Sequence, residues 1–281
     1  MQKIIFGILC FVSSHLTAQE LYIYTEPASN MPAKSLSTRL TANLMGPQPW
    51  HNRFMQRYTP ELMFGLSKKI MVHTGATFSD MHTSNFRWES VYLYGKYRFL
   101  SIDDVHKHFR MAVFGEASYS RSPYHNDEVS LLGDKSGVQV GLIATQLLNK
   151  LAISGTISHS QVFDESRYNK VLYIPSRIYQ SLNYSLSAGY LLIPRQYTDY
   201  KQLNINFYTE LLAQQTLDRQ TYYVDLAPAF QFIFNSNFKI NLGYRFEVSG
   251  TAERMARQSW LIGFERTFLN ALKSKKKNDH I

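Results

Sequence analysis

Alternation of apolar and polar side chains in segments of about ten residues is the feature that most constrains the fold of this chain. The even-numbered residues from Phe238 to Val248 are all apolar, whereas the odd-numbered residues between them are Lys239, Asn241, Gly243, Arg245 and Glu247. A period of two places the two sets on opposite faces of a β-strand. Such segments repeat along the chain, with short and long gaps in turn, which is typical of a transmembrane β-barrel that is apolar outside and polar inside.

The alternation predicts an all-β, antiparallel transmembrane barrel of twelve strands. The predicted strands are 35–45, 57–66, 70–79, 88–99, 108–120, 136–148, 151–162, 178–192, 202–213, 222–234, 238–249 and 258–268. Short connections, with the longer turns 100–107 and 193–201, fall on one side, and the longer loops fall on the other. An even strand number with short periplasmic turns is typical of Gram-negative outer-membrane barrels, so we expect that location. Pro228 removes a ladder donor inside a strand, which predicts a β-bulge there.

The two ends of the chain lie outside the predicted barrel, which covers residues 35–268. Residues 1–18 have the pattern of a secretory signal peptide, with Lys3 followed by an apolar run that is too short for a spanning helix. Cys10 in this leader is the single cysteine, so disulfides and thiolate catalysis are excluded from the mature chain. Residues 19–34 form a periplasmic lead-in or a plug, and 269–281 form a basic periplasmic tail.

The composition restricts the partners of the chain. The formal net charge is +9, but the basic residues are scattered over predicted loops and lumen positions. We therefore expect contact with anionic lipid and lipopolysaccharide and no binding of nucleic acid. The 14% of aromatic residues suits girdles at both membrane interfaces. The oligomeric state does not follow from the sequence.

The last strand resembles the aromatic-ended final strand of outer-membrane barrels. Trp260, Ile262 and Phe264 alternate up to a terminal Phe268. The resemblance implies recognition by the barrel-assembly machinery.

Methionine is concentrated near the N-terminus of the predicted barrel. Six of the nine methionines lie between residues 31 and 81. Thioether and imidazole groups suit Cu(I) and Ag(I). Met45, Met63, Met71 and His73 are inward candidates for contacts with such an ion, although methionine also packs irregular gaps without any ligand. We expect no cofactor; a copper or silver ion would be a transported ligand.

The segment from Thr25 to Ser35, with prolines at 27 and 32, has a defined extended or turn path. It resembles the N-terminal segment of a group of outer-membrane barrels from Bacteroidota-type bacteria. That resemblance implies a loose association with copper and heavy-metal handling.

Catalysis is not expected. Outer-membrane phospholipase A is also a barrel of about this size, with a His-x-Ser-Asn pattern. The nearest stretch here places Ser158 and His159 next to each other, so they point to opposite faces of a strand and cannot form a catalytic pair.

Charges of both signs are predicted inside the barrel. The candidates for lumen lining and selectivity are Arg39, Lys96, Arg98, Arg110, Glu116, Glu210 and Arg245. Twelve strands enclose more room than eight and less than sixteen. The first hypothesis is passage of a small solute or ion, and the alternative is a non-transporting structural or interaction barrel. In the alternative, the external loops 121–135 and 163–177 bind a partner through Tyr124, Tyr168 and Tyr173.

Overall fold

The computed structural model describes residues 22–48, 52–104, 107–121, 126–163, 178–194, 199, 201–218 and 220–273. It confirms the predicted all-β barrel of twelve antiparallel strands. The strands are β1 (Ser35–Met45), β2 (Met55–Gly65), β3 (Ile70–Ser79), β4 (Arg87–Asp103), β5 (Lys107–Ser120), β6 (Gly137–Leu148), β7 (Leu151–Val162), β8 (Gln180–Ile193), β9 (Asn204–Thr216), β10 (Tyr222–Phe234), β11 (Phe238–Gly250) and β12 (Gln258–Phe268).

Each strand pairs with its neighbours in sequence, and β1 pairs with β12 to close the barrel. In this closing ladder Arg39 lies opposite Glu265. The tight turns after β6 and β10 contain Asn149, Asn235 and Ser236 at positive φ, a conformation that suits two- and three-residue hairpin connections. Short turns mark the periplasmic end of an outer-membrane barrel, so the ends of the barrel can be assigned.

The exterior of the barrel is apolar. Leu93, Val140, Leu186 and Leu242 are all exposed near the middle of their strands. Exposed aromatic side chains occur closer to the strand ends, among them Tyr97, Phe99, Tyr119, Tyr190, Tyr222, Trp260 and Phe268. An aliphatic belt between aromatic girdles matches the hydrocarbon layer and its two interfaces. Among the described residues no helix is long and apolar enough to cross a membrane.

Several other strand ends differ from the predicted bounds by one to three residues, and two details differ more clearly from the sequence predictions. The turn predicted at 100–107 is mostly strand, because β4 continues to Asp103 and β5 begins at Lys107. The bulge predicted at Pro228 is wrong. Leu226 lies opposite Phe246 and Ala229 opposite Gly243, so the register is the same on both sides of the proline, and the irregularity lies between Val224 and Asp225. Pro228 therefore removes one hydrogen bond from the ladder, but it adds no extra residue to the strand as a β-bulge would.

Candidate functional site: a chamber between two internal segments

The lumen contains a segment of chain that precedes the first strand. Residues 22–34, here called the N-terminal segment, contact β9 through Glu210. The Glu210 carboxylate accepts the backbone N–H groups of Ile23 and Tyr24, each at 2.9 Å, and the Thr25 hydroxyl at 2.6 Å. These three donors, together with the Ser187 hydroxyl at 3.2 Å, satisfy the buried acid without a basic partner.

Lys96 of β4 holds the other half of the N-terminal segment. Its Nζ donates to the carbonyl oxygens of Pro27 at 2.6 Å and Ser29 at 2.9 Å, and it lies 3.3 Å from the Glu26 carboxylate. Only 2% of the Lys96 surface is exposed. A buried ammonium group needs hydrogen-bond acceptors or a counter-charge, and the N-terminal segment supplies both to Lys96 of the barrel wall.

Residues 126–136, here called the inner loop, enter the lumen from the opposite end. The loop follows β5, and Arg57 of β2 binds it from across the lumen. The Arg57 guanidinium pairs with Asp134, donates to the Leu132 carbonyl at 2.8 Å and lies 3.2 Å from Glu89 of β4. Gly133 has a φ of 106°, and a Cβ at this position would lie 2.6 Å from Cζ of Arg57. Glycine is therefore required where the loop approaches the arginine.

The far side of the inner loop binds β9 and β11. Gln214 of β9 donates to the Val129 carbonyl and accepts its N–H, at 2.9 and 2.7 Å. Glu128 lies 3.1 Å from Arg254, in the connection between β11 and β12, and 3.4 Å from Arg245 of β11. Because it binds strands on both sides, the inner loop spans the lumen.

The partners of the inner loop and its burial change the pKa values of its charged side chains. Burial alone would raise the pKa of the Asp134 carboxyl, but Arg57 and His82 outweigh it and hold that pKa well below its usual range. Burial is likewise outweighed at Glu128, where Arg254 and Arg245 lower the pKa. At Lys135 burial dominates and lowers the pKa to about 8.

A chamber of about 450 Å³ lies between the N-terminal segment and the inner loop. Its floor includes Ile23, Tyr24, Thr25 and Glu26, and its roof includes Glu128, Leu132, Asp134 and Arg254. Many of the wall residues are polar or aromatic, among them Asn43, Thr59, Tyr92, Tyr94, Phe114, Gln139 and Asn183, and Ile143, Leu212 and Leu261 add aliphatic surface. Side chains therefore do not fill the barrel, and among the described residues two internal segments enter its lumen.

The predicted selectivity residues occupy different levels of the lumen. Arg39, Glu116 and Arg245 line the chamber. Arg39 lies 3.3 Å from Glu61 and 3.1 Å from Glu265, and Arg245 lies 2.5 Å from Asp225. The side chains of Arg39, Glu116 and Arg245 all project from their strands into the lumen.

The other four predicted selectivity residues lie below the chamber. Lys96 and Glu210 hold the N-terminal segment, as described above. Arg110 donates to the Ser29 hydroxyl at 2.8 Å, and Arg98 donates to the Lys68 carbonyl at the periplasmic turn. These four residues therefore act on the segment and on the turn, not on the chamber wall.

The structure separates the four candidate metal contacts. Met45 belongs to a buried cluster near the outer end that also contains Met55, Met81 and Met255. Met63 lies opposite Ser37, eight positions from Met45 in the register of β1, or about 26 Å at about 3.3 Å per residue. One ion cannot contact both of these thioethers.

Met63, Met71 and His73 do lie together near the periplasmic end. Met63 is opposite His73 in the ladder between β2 and β3. The Met31 N–H of the N-terminal segment lies 3.5 Å from the Met71 sulfur. His73 Nε2 is buried and has no hydrogen-bond partner among the described residues. Groups of three or more His, Cys, Asp or Glu side chains suited to a metal are absent from the described residues.

Sequence reasoning missed the charges that hold the inner loop. Arg57, Glu89 and Arg254 were not among the candidates, and residues 121–135 were expected to face a partner outside. The described part of that loop, 126–135, instead binds the lumen wall; Tyr124, Tyr168 and Tyr173 lie outside the described residues. One available signal was the acidic content of the loop, at Asp127, Glu128 and Asp134, which matches the arginines of the predicted lumen faces.

The pair Ser158 and His159 has the geometry expected from strand alternation. Ser158 lines the chamber and accepts a hydrogen bond from Gln139 Nε2 at 2.6 Å. His159 is the next residue of β7 and belongs to the opposite face.

Comparison with known proteins supports the fold. No family model and no curated protein matches the chain. Among solved structures, the chain is similar to an outer-membrane channel from Pseudomonas putida F1, with a TM-score of 0.55, 10% identity, and coverage of 88% of this chain and 100% of the other. It is also similar to the KdgM porin, with a TM-score of 0.51, 8% identity, and coverage of 83% and 99%.

Both neighbours are outer-membrane barrels, and the exposed apolar belt described above requires a lipid environment. The predicted fold class is confirmed, and the location of this barrel is the outer membrane. At these identities the likeness concerns the fold, so the function has to be argued from the chamber.

Proposed function

We propose that this chain passes small solutes across the outer membrane through the chamber. The observation that carries the proposal is the space of about 450 Å³ between the N-terminal segment and the inner loop. Ligand sites in proteins are typically clefts of a few hundred Å³ or more. A purely structural barrel does not need a chamber lined by so many polar and charged side chains.

Passage requires that the chamber communicates with both sides. The N-terminal segment and the inner loop bind the wall through apolar packing and through hydrogen bonds and ion pairs. Water can replace the polar contacts when a segment moves. The lumen then offers polar groups that substitute for part of the hydration of a solute, and the charged residues set selectivity. The neighbours with similar folds are called a channel and a porin, which agrees with this proposal.

A soft metal ion is a second candidate solute, favoured by one observation. The unpartnered His73 Nε2 lies in the neighbourhood of Met63, Met71 and Met31 near the periplasmic end. Cu(I) and Ag(I) prefer such ligands. This candidate uses a different level of the lumen from the chamber, so the two can be tested separately.

The proposal is tested by conductance of the refolded barrel in planar bilayers. We expect small, reproducible current steps, with larger steps in Arg57→Met, because this variant releases the inner loop from β2. Arg121→Met is the matched control, since Arg121 is exposed at the same end of the barrel.

Heat-modifiable gel migration verifies folding of each variant. Folded protein that never conducts, in the wild type and in Arg57→Met alike, would refute passage. That result would support the alternative of a structural or interaction barrel.

A further inference from the structure

The carboxyl group of Glu116 has no basic partner in the described part of the chamber. Among the described residues, no hydrogen-bond donor or basic group pairs with it. The other acids that line the chamber each have a basic partner: Glu26 pairs with Lys96, Glu61 with Arg39, Glu128 with Arg254, and Asp134 with Arg57.

The arginines of the chamber are all balanced. Arg39, Arg57, Arg245, Arg254 and Arg257 each lie within ion-pair distance of at least one carboxylate. An anionic solute would have to displace these pairs. A cationic solute, in contrast, meets one carboxylate that is already unpaired, so the chamber favours positive charge.

Aromatic rings lie beside Glu116. Tyr94 of β4 is directly opposite Glu116 in the ladder to β5. The rings of Tyr94 and Phe114 are stacked, with centroids 5.4 Å apart and planes at 25°. Tyr94 is 6% exposed, and its hydroxyl is buried without a hydrogen-bond partner among the described residues. Tyr94, Phe114 and Glu116 all line the chamber.

We propose that Glu116, Tyr94 and Phe114 form a binding subsite for a small organic ammonium ion. The carboxylate supplies the counter-charge, and the aromatic rings attract a cation whose surface is methylene or methyl. The Tyr94 hydroxyl is available to a polar substituent of the solute. This inference rests on the proposed function and names the class of solute that the chamber accepts.

The test is isothermal titration of the refolded barrel with choline and with its neutral carbon analogue, 3,3-dimethylbutan-1-ol. We expect choline to bind the wild type and the neutral analogue to bind at least tenfold more weakly. Glu116→Gln should weaken choline at least tenfold, whereas Glu116→Asp should retain most of the affinity. Glu253→Gln removes an exposed carboxylate outside the chamber and should have no effect.

Equal binding of choline and its neutral analogue, or unchanged affinity in folded Glu116→Gln, would overturn the subsite. Should Glu116→Gln fail to fold, Phe114→Leu keeps every charge and should weaken choline at least threefold; unchanged affinity there would overturn it as well. Choline binding in a barrel that never conducts would uphold the subsite and refute passage. Conductance without choline binding would uphold passage and refute the subsite.

Discussion

Lys96 offers the most direct way to perturb the N-terminal segment. The side chain is almost fully buried, and its ammonium group binds two carbonyl oxygens and one carboxylate of the segment. Lys96→Met keeps a long, flexible side chain of similar volume and removes all three interactions. We expect the segment to leave the wall more often, while the barrel itself stays closed.

The size of the effect follows from the two hydrogen bonds, at 2.6 and 2.9 Å. A hydrogen bond to a charged group contributes about 1.5–3 kcal/mol net, so the two together contribute at least about 3 kcal/mol. Since about 1.4 kcal/mol corresponds to a factor of ten, the population of the undocked segment should rise at least about 100-fold. The Glu26 contact adds to this figure.

Undocking is measured by maleimide labelling of a cysteine placed at Ala28, which is fully buried against the wall. All variants carry Ala28→Cys together with Cys10→Ser, so the cost of these changes cancels in the comparison. When the segment opens and closes faster than it is labelled, the labelling rate follows the open population. The rate should therefore rise about 100-fold in Lys96→Met.

Lys69→Met is the matched control, because Lys69 is exposed in the turn between β2 and β3. It should label at the wild-type rate. A Lys96→Met barrel that is folded and labels no faster than Lys69→Met would show that these hydrogen bonds do not hold the segment, and the reasoning would fail.

Two further predictions concern the inner loop and the methionines. Because Asp134 and Glu128 have lowered pKa values in the docked loop, their stabilisation is complete above about pH 4, the pKa range of free carboxyls, and is lost as the pH falls through the lower docked values. Conductance should therefore rise reversibly in acid, and Asp134→Asn should conduct more at neutral pH with a smaller acid response. Replacing Met71 with Leu and His73 with Gln together should weaken Ag(I) binding at least tenfold in a competition titration.

Each of these predictions has a control within the chain. Glu253→Gln changes an exposed carboxylate near the inner loop and should keep the full acid response. Met45→Leu with Met255→Leu alters the outer methionine cluster and should leave the Ag(I) affinity of the inner group unchanged. A wild-type barrel with the same conductance at pH 3 and pH 7 would contradict the first prediction. Equal Ag(I) affinity in both double variants would contradict the second.

The sequence was sufficient to predict the strands because each barrel strand faces lipid on one side and the lumen on the other. The predicted bounds of β1, β3, β7, β10 and β12 match the structure, since lipid and lumen select opposite residue types at alternate positions. Pro228 shows the limit of this local reasoning. The sequence shows that Pro228 lacks a hydrogen-bond donor. Whether the strand then forms a bulge depends on its register with β11, which the sequence of β10 alone does not determine.

The chamber was much harder to predict, because segments without a period form its floor and its roof. The pairs of Arg57 with Asp134 and of Arg254 with Glu128 join residues 77 and 126 positions apart in the chain. A charged loop outside the barrel and one inside it have the same composition. Only the complementary charges on the strands distinguish an inner loop from an outer one. Arg254 gives no such signal, because it lies in the connection between β11 and β12 and not on a strand.

The position of the N-terminal segment also restricts the order in which the barrel can be assembled. The ladder between β1 and β12 joins side chains such as Arg39 and Glu265, 226 positions apart, whereas the other ladders join consecutive strands. Contacts so distant in sequence form late, since loop closure is costly. The N-terminal segment precedes β1 and lies inside the finished cylinder, so an assembling chain has to bring it inward before the last ladder forms, or thread it through afterwards. Arg39 pairs with both Glu26 of the segment and Glu265 of β12, so docking of the segment and the final zippering step share one side chain.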